Sequence, residues 1–411
     1  MLCRSGLNCR KCTTLHVNFI LRSLMSLKVN LWRKEYIEYV ALKDVCKINM
    51  GQSPDSSSYN DKKEGIPFYQ GNADFGEKHP IPRVWCNAPT KIAQPKDILM
   101  SVRAPIGALN YAQEKCCIGR GLAAITPDKD KLSLEFLYWF LRGKNSELNS
   151  KGTGSTFKAI SKKTLEEIRV PLIDLEKQQK MAQALEKTYS VIQMRTKQLK
   201  ELDDLIKARF VEMFGDNQEV HKLSDIAAIT GGLTKNSRRD KLELRKPYLR
   251  VANVFFASID TTEILDIGLT KEEYEKTLLR NGDLLFVEGN GSPDQIGRVA
   301  IWNGEIEDCV HQNHLIKARF DLKRMNPVFA MYYFISERGR NQIKKRAVST
   351  SGLYTLSVSK IADFEIPNPP MELQQQFAAF VTAIDKSKAT VQKALDETQL
   401  LFDSLMQQYF G

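Results

Sequence analysis

Long apolar runs are missing from this sequence of 411 residues. No segment approaches the roughly 18 consecutive apolar residues that a membrane helix needs, which excludes a membrane-spanning protein. Glycine-rich phosphate-binding loops are missing as well, because the stretch from Gly152 to Lys158 has the wrong spacing for G-x-x-x-x-G-K-[ST]. No glycine-rich loop follows a strand in the way that would hold S-adenosylmethionine. We therefore expect no catalytic activity in the isolated chain.

Cysteine is too scattered for a disulfide framework, with eight residues spread along the chain and Cys116 adjacent to Cys117. We interpret these cysteines as reduced thiols and expect a cytoplasmic protein. A set of superficially zinc-like ligands near the start consists of Cys3, Cys9, Cys12 and His16. Residues 1–35 are basic and lack turn residues that would shape a metal knuckle, so we expect a disordered extension there instead. Met25 offers an alternative start.

The formal net charge of +11 is unevenly distributed along the chain. Residues 1–35 carry seven Lys or Arg against the single acidic residue Glu35, and most of the remaining excess lies on residues 36–170. Composition alone therefore gives weak support for a polyanionic partner. An argument for nucleic acid has to rest on where the basic residues cluster.

The chain contains a tandem duplication. Residues 171–215 and 367–411 align without a gap at an offset of 196. The identities in this part are Pro171/Pro367, Glu176/Glu372, Gln178/Gln374, Gln179/Gln375, Ala182/Ala378, Leu199/Leu395, Phe214/Phe410 and Gly215/Gly411. Upstream the match is looser but keeps its order, with residues 42–48 facing 223–229. Each half is thus a large segment followed by one gap-free repeat.

The gap-free repeats have the spacing of long helices, because apolar residues alternate by four and three over about five heptads. A helix of about 40 residues is roughly 60 Å long, which exceeds the width of a domain of this size. Each apolar seam therefore needs a partner, and the other seam is the obvious one. The alternative is two ordinary amphipathic helices packed on their own domains. The seam residues are Leu185, Ile192, Leu199, Leu202, Ile206, Val381, Ile384, Val391, Leu395, Phe402 and Leu405.

The large segments contain short β-branched and aromatic runs separated by Gly, Pro and Asn turns. Two helices are expected inside them, over residues 133–141 and 327–335. The regular strand-helix alternation of a nucleotide-binding sheet is missing, so we assign each segment to the α+β class. The predicted domains are a basic extension (1–35), a first α+β domain (36–171), a central long helix (172–215), a second α+β domain (216–366) and a C-terminal long helix (367–411).

Over residues 36–411 the sequence resembles the specificity (S) subunits of type I restriction-modification enzymes. The resemblance rests on motifs that occur twice in the same order, each time before a long helix. These motifs are residues 42–44 and 223–225, residues 65–67 and 246–250, residues 282–285, residues 296–298, and residues 170–179 with 366–375. The duplicated order is the specific part of the match.

By this resemblance, each α+β domain would be a target recognition domain that reads one half of a split site in double-stranded DNA. The two helices would form an antiparallel coiled coil that spaces these domains and docks methyltransferase (M) subunits, of which two are expected. Restriction (R) subunits would complete the complex. The chain itself would hold no cofactor or metal. S-adenosylmethionine, ATP and Mg would belong to the partner subunits, and no membrane contact is expected.

Two other classes of protein fit parts of the sequence. Asn368-Pro369-Pro370 resembles the N-P-P-[YF] loop of amino-methyltransferases, but Met371 replaces the aromatic residue that would stack on a flipped base. The prolines are better explained as a rigid lead into the last helix. The second alternative is a coiled-coil scaffold without DNA binding, and local basic clusters argue against it.

Candidate DNA contacts are basic, hydroxyl and amide side chains that cluster before the long helices or in the second domain. Lys, Arg, Ser and Thr suit phosphate contacts, and amide or imidazole groups suit base edges in the major groove. The candidates are Arg103, Gly154, Ser155, Thr156, Lys158, Lys162, Lys163, Arg238, Arg239, Arg250, Asn290, Ser292, Gln295, Arg298, Gln312, Asn313, His314, Lys344, Lys345, Arg346, Ser349, Thr350 and Ser351. A solvated basic surface or an ordinary polar turn is the alternative at each place. His311 and His314 lack a nearby third ligand, so we expect no metal there.

Overall fold

The computed structural model describes residues 37–154, 158–215, 219–350 and 352–411. The chain divides into two compact units, each of which takes part of both long helices. Unit 1 consists of the described residues up to Thr196 together with Lys393–Gly411, and unit 2 is Lys197–Gln392. Both units mix strands and helices, which confirms the α+β class.

Unit 1 begins with eleven short strands and four short helices before the first long helix. The strands are β1 (Glu38–Ala41), β2 (Cys46–Met50), β3 (Tyr59–Asn60), β4 (Ile66–Tyr69), β5 (Val84–Cys86), β6 (Ile92–Ala93), β7 (Ile98–Ser101), β8 (Leu109–Tyr111), β9 (Cys116–Ile118), β10 (Leu122–Pro127) and β11 (Arg169–Leu172). The helices are α1 (Leu42–Val45), α2 (Leu134–Gly143), α3 (Asn145–Ser150), α4 (Lys162–Glu166) and the long α5 (Leu175–Phe214).

The centre of unit 1 is an antiparallel sheet of order β2-β10-β7-β8. Strand β7 is buried at every residue, which explains why its sequence is a continuous apolar run and does not alternate. Ile98 and Met100 face the cluster that contains Trp139 of α2, whereas Leu99 faces the second sheet, β3-β5-β4-β9-β6. The sheet is therefore packed on both faces.

Unit 2 repeats this arrangement with its own elements. Its strands are β12 (Val220–Lys222), β13 (Ala227–Gly231), β14 (Arg245–Leu249), β15 (Val254–Phe255), β16 (Ser258–Ile259), β17 (Leu265–Gly268), β18 (Leu284–Val287), β19 (Gly289–Asn290), β20 (Val299–Ile301), β21 (Val310–His311), β22 (Leu315–Phe320), β23 (Val348–Thr350), β24 (Leu353–Thr355) and β25 (Glu365–Pro367). Its helices are α6 (Lys271–Thr277), α7 (Pro327–Ile335), α8 (Glu337–Arg346), α9 (Val358–Ala362) and the long α10 (Met371–Phe410).

The duplication seen in the sequence is also a duplication of hydrogen bonds. The sheet β13-β22-β18-β20 has the order and antiparallel pairing of β2-β10-β7-β8. In unit 1 the Leu42 N–H donates to the Ile168 carbonyl at 2.8 Å, and in unit 2 the Leu223 N–H donates to the Phe364 carbonyl at 2.7 Å. Each long helix thus follows a strand pair that closes its domain, β1-β11 or β12-β25.

The duplicated glutamines Gln178 and Gln374 fasten the long helices to their domains. Both side chains are fully buried. The Gln178 Oε1 accepts from the Ser133 N–H and the Gln374 Oε1 accepts from the Asn326 N–H, each at 2.8 Å, at the starts of α2 and α7. The Gln374 amide also donates to the Pro369 carbonyl at 2.8 Å. The proline segment therefore forms the lead into α10.

The two long helices pair in opposite directions within each unit. In unit 1 the ring of Phe402 lies 5.8 Å from that of Tyr189. In unit 2 Phe377 lies 5.3 Å from Phe210, and Lys388 forms an ion pair with Asp203 at 2.6 Å. Since residue numbers rise along α5 as they fall along α10, the pairing is antiparallel.

The predicted seam residues are all buried or half-buried in this pairing. Large apolar residues that lie off the seam are exposed instead, namely Met194, Leu205, Val211 and Leu400. The seam is therefore where the helices bury their apolar surface, and the alternative of two helices packed only on their own domains does not describe the structure.

Candidate nucleic-acid interface

The loop that follows β7 in unit 1 is held against the segment before α5. The Ile160 N–H donates to the Val102 carbonyl at 2.9 Å, and the Ala104 N–H donates to the Lys158 carbonyl at 3.0 Å. The Ser101 hydroxyl bonds the carbonyls of Arg103 and Pro105, both at 2.7 Å, which folds the loop back on itself. Arg103 and Lys158 are consequently neighbours in space and both are exposed.

Unit 2 builds the same junction from the loop after β18. The Leu356 N–H donates to the Glu288 carbonyl at 2.8 Å, and β19 pairs with β24 of the hairpin β23-β24. Leu356 and Ile160 differ by the repeat offset of 196, so this hydrogen bond is the counterpart of the one in unit 1. We call the joined loop and pre-helix segment of each unit its loop-hairpin surface, made of residues 101–107 with 152–160 in unit 1 and 288–298 with 348–356 in unit 2.

The basic candidates of unit 1 lie on or beside its loop-hairpin surface. Exposed members are Arg103, Gly154, Lys158, Lys162 and Lys163. Lys162 and Lys163 form ion pairs one helical turn away with Glu166 and Glu167 at 3.3 and 3.8 Å. Exposed pairs of this kind are weak, so both ammonium groups remain available to phosphate. Ser155 and Thr156 lie outside the described residues.

The basic candidates of unit 2 differ in how freely they could meet DNA. Arg238 is exposed, whereas the neighbouring Arg239 makes a two-pronged contact with Glu273 at 2.8 and 2.9 Å. That contact holds the pKa of the Glu273 carboxyl below its usual value. The Arg250 guanidinium pairs with Glu263 at 3.1 Å and is mostly buried. Arg239 and Arg250 therefore have partners inside their own domain.

The end of α8 carries the other basic cluster of unit 2. Lys344 pairs with Asp294 of the loop at 2.6 Å, and Lys345 is exposed. Arg346 donates to the Asp363 carbonyl, and its guanidinium lies 5.7 Å from the centre of the Phe364 ring. The two lysines thus lie free or weakly paired, while the arginine is held by its own domain.

Polar candidates for base contacts occupy the loop-hairpin surface and the turn before β22. The Asn290 Oδ1 accepts from the Ser292 N–H at 2.9 Å and shapes the loop, which leaves Gln295 exposed. Gln312 and Asn313 are half-buried in the turn. The remaining candidates of this kind are the exposed His314, bonded to Glu288 at 3.1 Å, and the exposed Ser349, with Thr350 opposite Leu353 in the hairpin. Ser351 lies outside the described residues.

Metal binding finds no support in the part of the chain that the structure describes. No group of three or more His, Cys, Asp or Glu suited to a metal ion occurs there. His311 is fully buried and bonds the Thr277 carbonyl at 2.9 Å, while His314 is exposed. The ligand set formed by Cys3, Cys9, Cys12 and His16 lies outside the described residues. Among the helices described, none is both long enough and apolar enough to span a membrane.

The sequence did not reveal Arg340 as a residue that shapes this surface. Its guanidinium donates to the Gly297 and Asp294 carbonyls at 3.1 and 3.2 Å, which anchors the unit 2 loop to α8. No sequence signal distinguishes Arg340 from a solvated arginine, because its partners are backbone carbonyls more than 40 residues away.

The fold and the paired surfaces define a class of protein: a duplicated α+β chain whose halves each end in a long helix. The family model described as the type I restriction modification DNA specificity domain matches residues 34–204 and again residues 215–398. The two matches cover most of the chain. The chain therefore belongs to this family, which confirms the resemblance to type I specificity subunits.

Individual relatives support the same family. The chain is 27% identical over 337 residues to the type I restriction enzyme MjaIX specificity subunit of Methanocaldococcus jannaschii, covering 75% of each chain. It is 21% identical over 345 residues to the EcoKI specificity subunit of Escherichia coli strain K12, covering 76% of this chain and 73% of that one. A further M. jannaschii sequence is 45% identical over 157 residues, but this match spans only 37% of that relative and 38% of this chain.

One solved structure extends the similarity to the fold of nearly the whole chain. The crystal structure of the type I restriction-modification S subunit from M. genitalium matches with a TM-score of 0.55 over 93% of this chain and 98% of that one. The sequence identity is 16%, so this match speaks for the fold alone.

Proposed function

We propose that this chain is the non-catalytic DNA-recognition subunit of a type I restriction-modification complex and that each unit reads one half of a split DNA site. The observation that carries the proposal is the repeated loop-hairpin surface, with the bond from Ile160 to Val102 at 2.9 Å and its counterpart from Leu356 to Glu288 at 2.8 Å. Both surfaces carry exposed cations and hydroxyl or amide groups, which position a protein on a duplex and read its bases.

The partners follow from the same proposal. Methyltransferase subunits, two of them expected, dock on the paired long helices, and restriction subunits join the methyltransferase complex. S-adenosylmethionine, ATP and Mg then belong to those subunits. We place the complex in the cytoplasm, where it meets DNA.

Methylation mapping tests the proposal directly. A host carrying this gene with its methyltransferase partner should show methylation at a sequence of two short specified parts separated by unspecified bases, and a host without the gene should lose it. The purified chain alone, incubated with DNA and S-adenosylmethionine, should transfer no methyl group. Methyl transfer by the isolated chain, or methylation that persists without the gene, would contradict the assignment.

A further inference from the structure

The hairpin β15-β16 exposes an aromatic side chain at its tip. Val254 pairs with Ile259 and Phe255 with Ser258, so the turn consists of Phe256 and Ala257. Ala257 adopts a φ of 55°, in the left-handed region that tight turns require. Since successive side chains of a strand point to opposite faces, Val254 is fully buried while 45% of Phe255 is exposed.

Arg298 lies beside this exposed ring without an acidic partner. Its guanidinium is 5.6 Å from the centre of the Phe255 ring. Its hydrogen bond among the described residues is a long one, from Nη2 to the Val251 carbonyl at 3.4 Å, and its Nε is buried without a partner. Burial lowers the pKa of the Arg298 side chain. A half-buried cation with unfilled donors is energetically poor unless a ligand supplies acceptors.

The pair formed by Phe255 and Arg298 is held in place from behind. Arg340 lies 5.1 Å from the centre of the Phe256 ring, and it also bonds the loop at Gly297 and Asp294. Gly297 has a φ of 63°, and a Cβ there would lie 2.5 Å from the Ile343 side chain. The loop therefore packs directly on α8, and the position of Arg298 relative to Phe255 is fixed by the fold.

Unit 1 has no counterpart of this pair. Its corresponding turn starts with the bond from the Asp74 N–H to the Gly71 carbonyl at 3.1 Å, which matches the bond from Asn253 to Arg250 at 2.9 Å. By this alignment Phe75 corresponds to Val254, and Gly76 corresponds to Phe255. A Cβ at Gly76 would lie 2.5 Å from the His79 carbonyl oxygen, so the turn of unit 1 has no room for an aromatic side chain.

Resting on the proposed function, we propose that Arg298 and Phe255 read neighbouring bases of the second half-site in the major groove, a guanine and a thymine. Arginine donors match the O6 and N7 acceptors of guanine, and a phenylalanine ring packs against the thymine 5-methyl group. The 5.6 Å between guanidinium and ring corresponds to one or two base-pair steps of about 3.4 Å. The half-site read by unit 2 thus contains a guanine with a thymine within two base pairs.

Base analogues test both contacts in the complex of this chain with its methyltransferase subunits. After the target has been mapped, binding is measured to duplexes in which each thymine is replaced singly by deoxyuridine and each guanine by 7-deazaguanine. One deoxyuridine and one nearby 7-deazaguanine should each weaken wild-type binding about fivefold or more, because a specific base contact is lost. Phe255→Ala should abolish the sensitivity to deoxyuridine, and Arg298→Gln the sensitivity to 7-deazaguanine.

Leu322→Ala is the matched control, because Leu322 is another exposed apolar residue of unit 2. This variant should respond to both analogues as the wild type does, and Phe255→Leu should keep part of the response to deoxyuridine. A wild-type complex that binds its target but ignores deoxyuridine, or a Phe255→Ala complex that keeps the full response, would overturn the inference. A wild-type complex with no specific target would instead defeat the proposed function on which it rests.

Discussion

His311 is a fully buried imidazole in the middle of unit 2. Burial, together with the positive charge of Lys317, lowers its pKa from 6.5 to about 4. The folded state therefore binds this proton less readily than the unfolded chain, so the stabilisation is complete above pH 6.5 and is lost as the pH falls towards 4. The sequence places His311 in a polar run, His311 to His314, and gives no sign that one imidazole is buried and the other exposed.

Replacing this histidine should remove that pH dependence. Between pH 6.5 and 4.5 the wild type should lose up to roughly 3 kcal/mol more unfolding free energy than His311→Asn, because only the wild type must bury a proton. Hydrogen exchange of the β22 amides, which lie beside His311 in unit 2, measures the difference. His79→Asn, an exposed histidine of unit 1, is the control. Equal slopes for the wild type and His311→Asn would show that burial does not govern this titration.

Adjacent residues show the limit of sequence reasoning about the interface. Arg238 and Arg239 have the same chemistry, yet one is exposed and the other bonds Glu273, 34 positions away. The sequence predicts which side chains suit phosphate. It cannot predict which of them the fold already pairs, because long-range partners depend on packing.

The end of α8 provides a test of phosphate contact at the scale of an element. Since Arg346 is held by its own domain, we expect Lys344 and Lys345 to make the contacts. Their joint replacement by alanine should reduce the steepness of log K against log salt by up to about two counterions. Titrations of the assembled complex at several salt concentrations measure the slope. Lys197→Ala with Lys200→Ala, exposed on α5, is the matched control, and a slope equal to that of the wild type would remove α8 from the interface.

Arg195 is a polar residue in the seam between α5 and α10. It donates to the Ala394 carbonyl and the Thr398 hydroxyl, and burial lowers the pKa of its side chain. Such a residue fixes the register of a coiled coil at a cost in stability. The heptad spacing predicted the seam, but the pairing of Arg195 with Thr398 depends on the antiparallel register, which the spacing leaves open.

Arg195→Leu should therefore raise the unfolding temperature, because a buried cation is replaced by an apolar side chain of suitable size. Lys197→Leu, at an exposed position two residues later, should change stability by no more than about 0.5 kcal/mol. Thermal unfolding followed by circular dichroism compares the two variants. A fall in unfolding temperature for Arg195→Leu would show that its hydrogen bonds outweigh the cost of burying the charge.

For the molecule as a whole, the duplication was the most informative signal in the sequence. The offset of 196 predicted two equivalent halves, and the bonds from Leu42 and Leu223 occur at equivalent places. The structure adds what the offset could not show: each compact unit takes part of both long helices. That division arises because the seam residues of one helix need the other helix, while Gln178 and Gln374 fasten each helix to its own domain.

Exchange of one recognition domain tests the central claim, that each unit reads its own half-site. The graft should replace residues 37–173 by the corresponding segment of another family member, so that β1 and β11 stay paired, while α5 and α10 are kept. Methylation sequencing of a host with the hybrid complex then reads the site. The account predicts that one half of the methylated sequence changes and the other half stays the same. A change in both halves, or in neither, would contradict it.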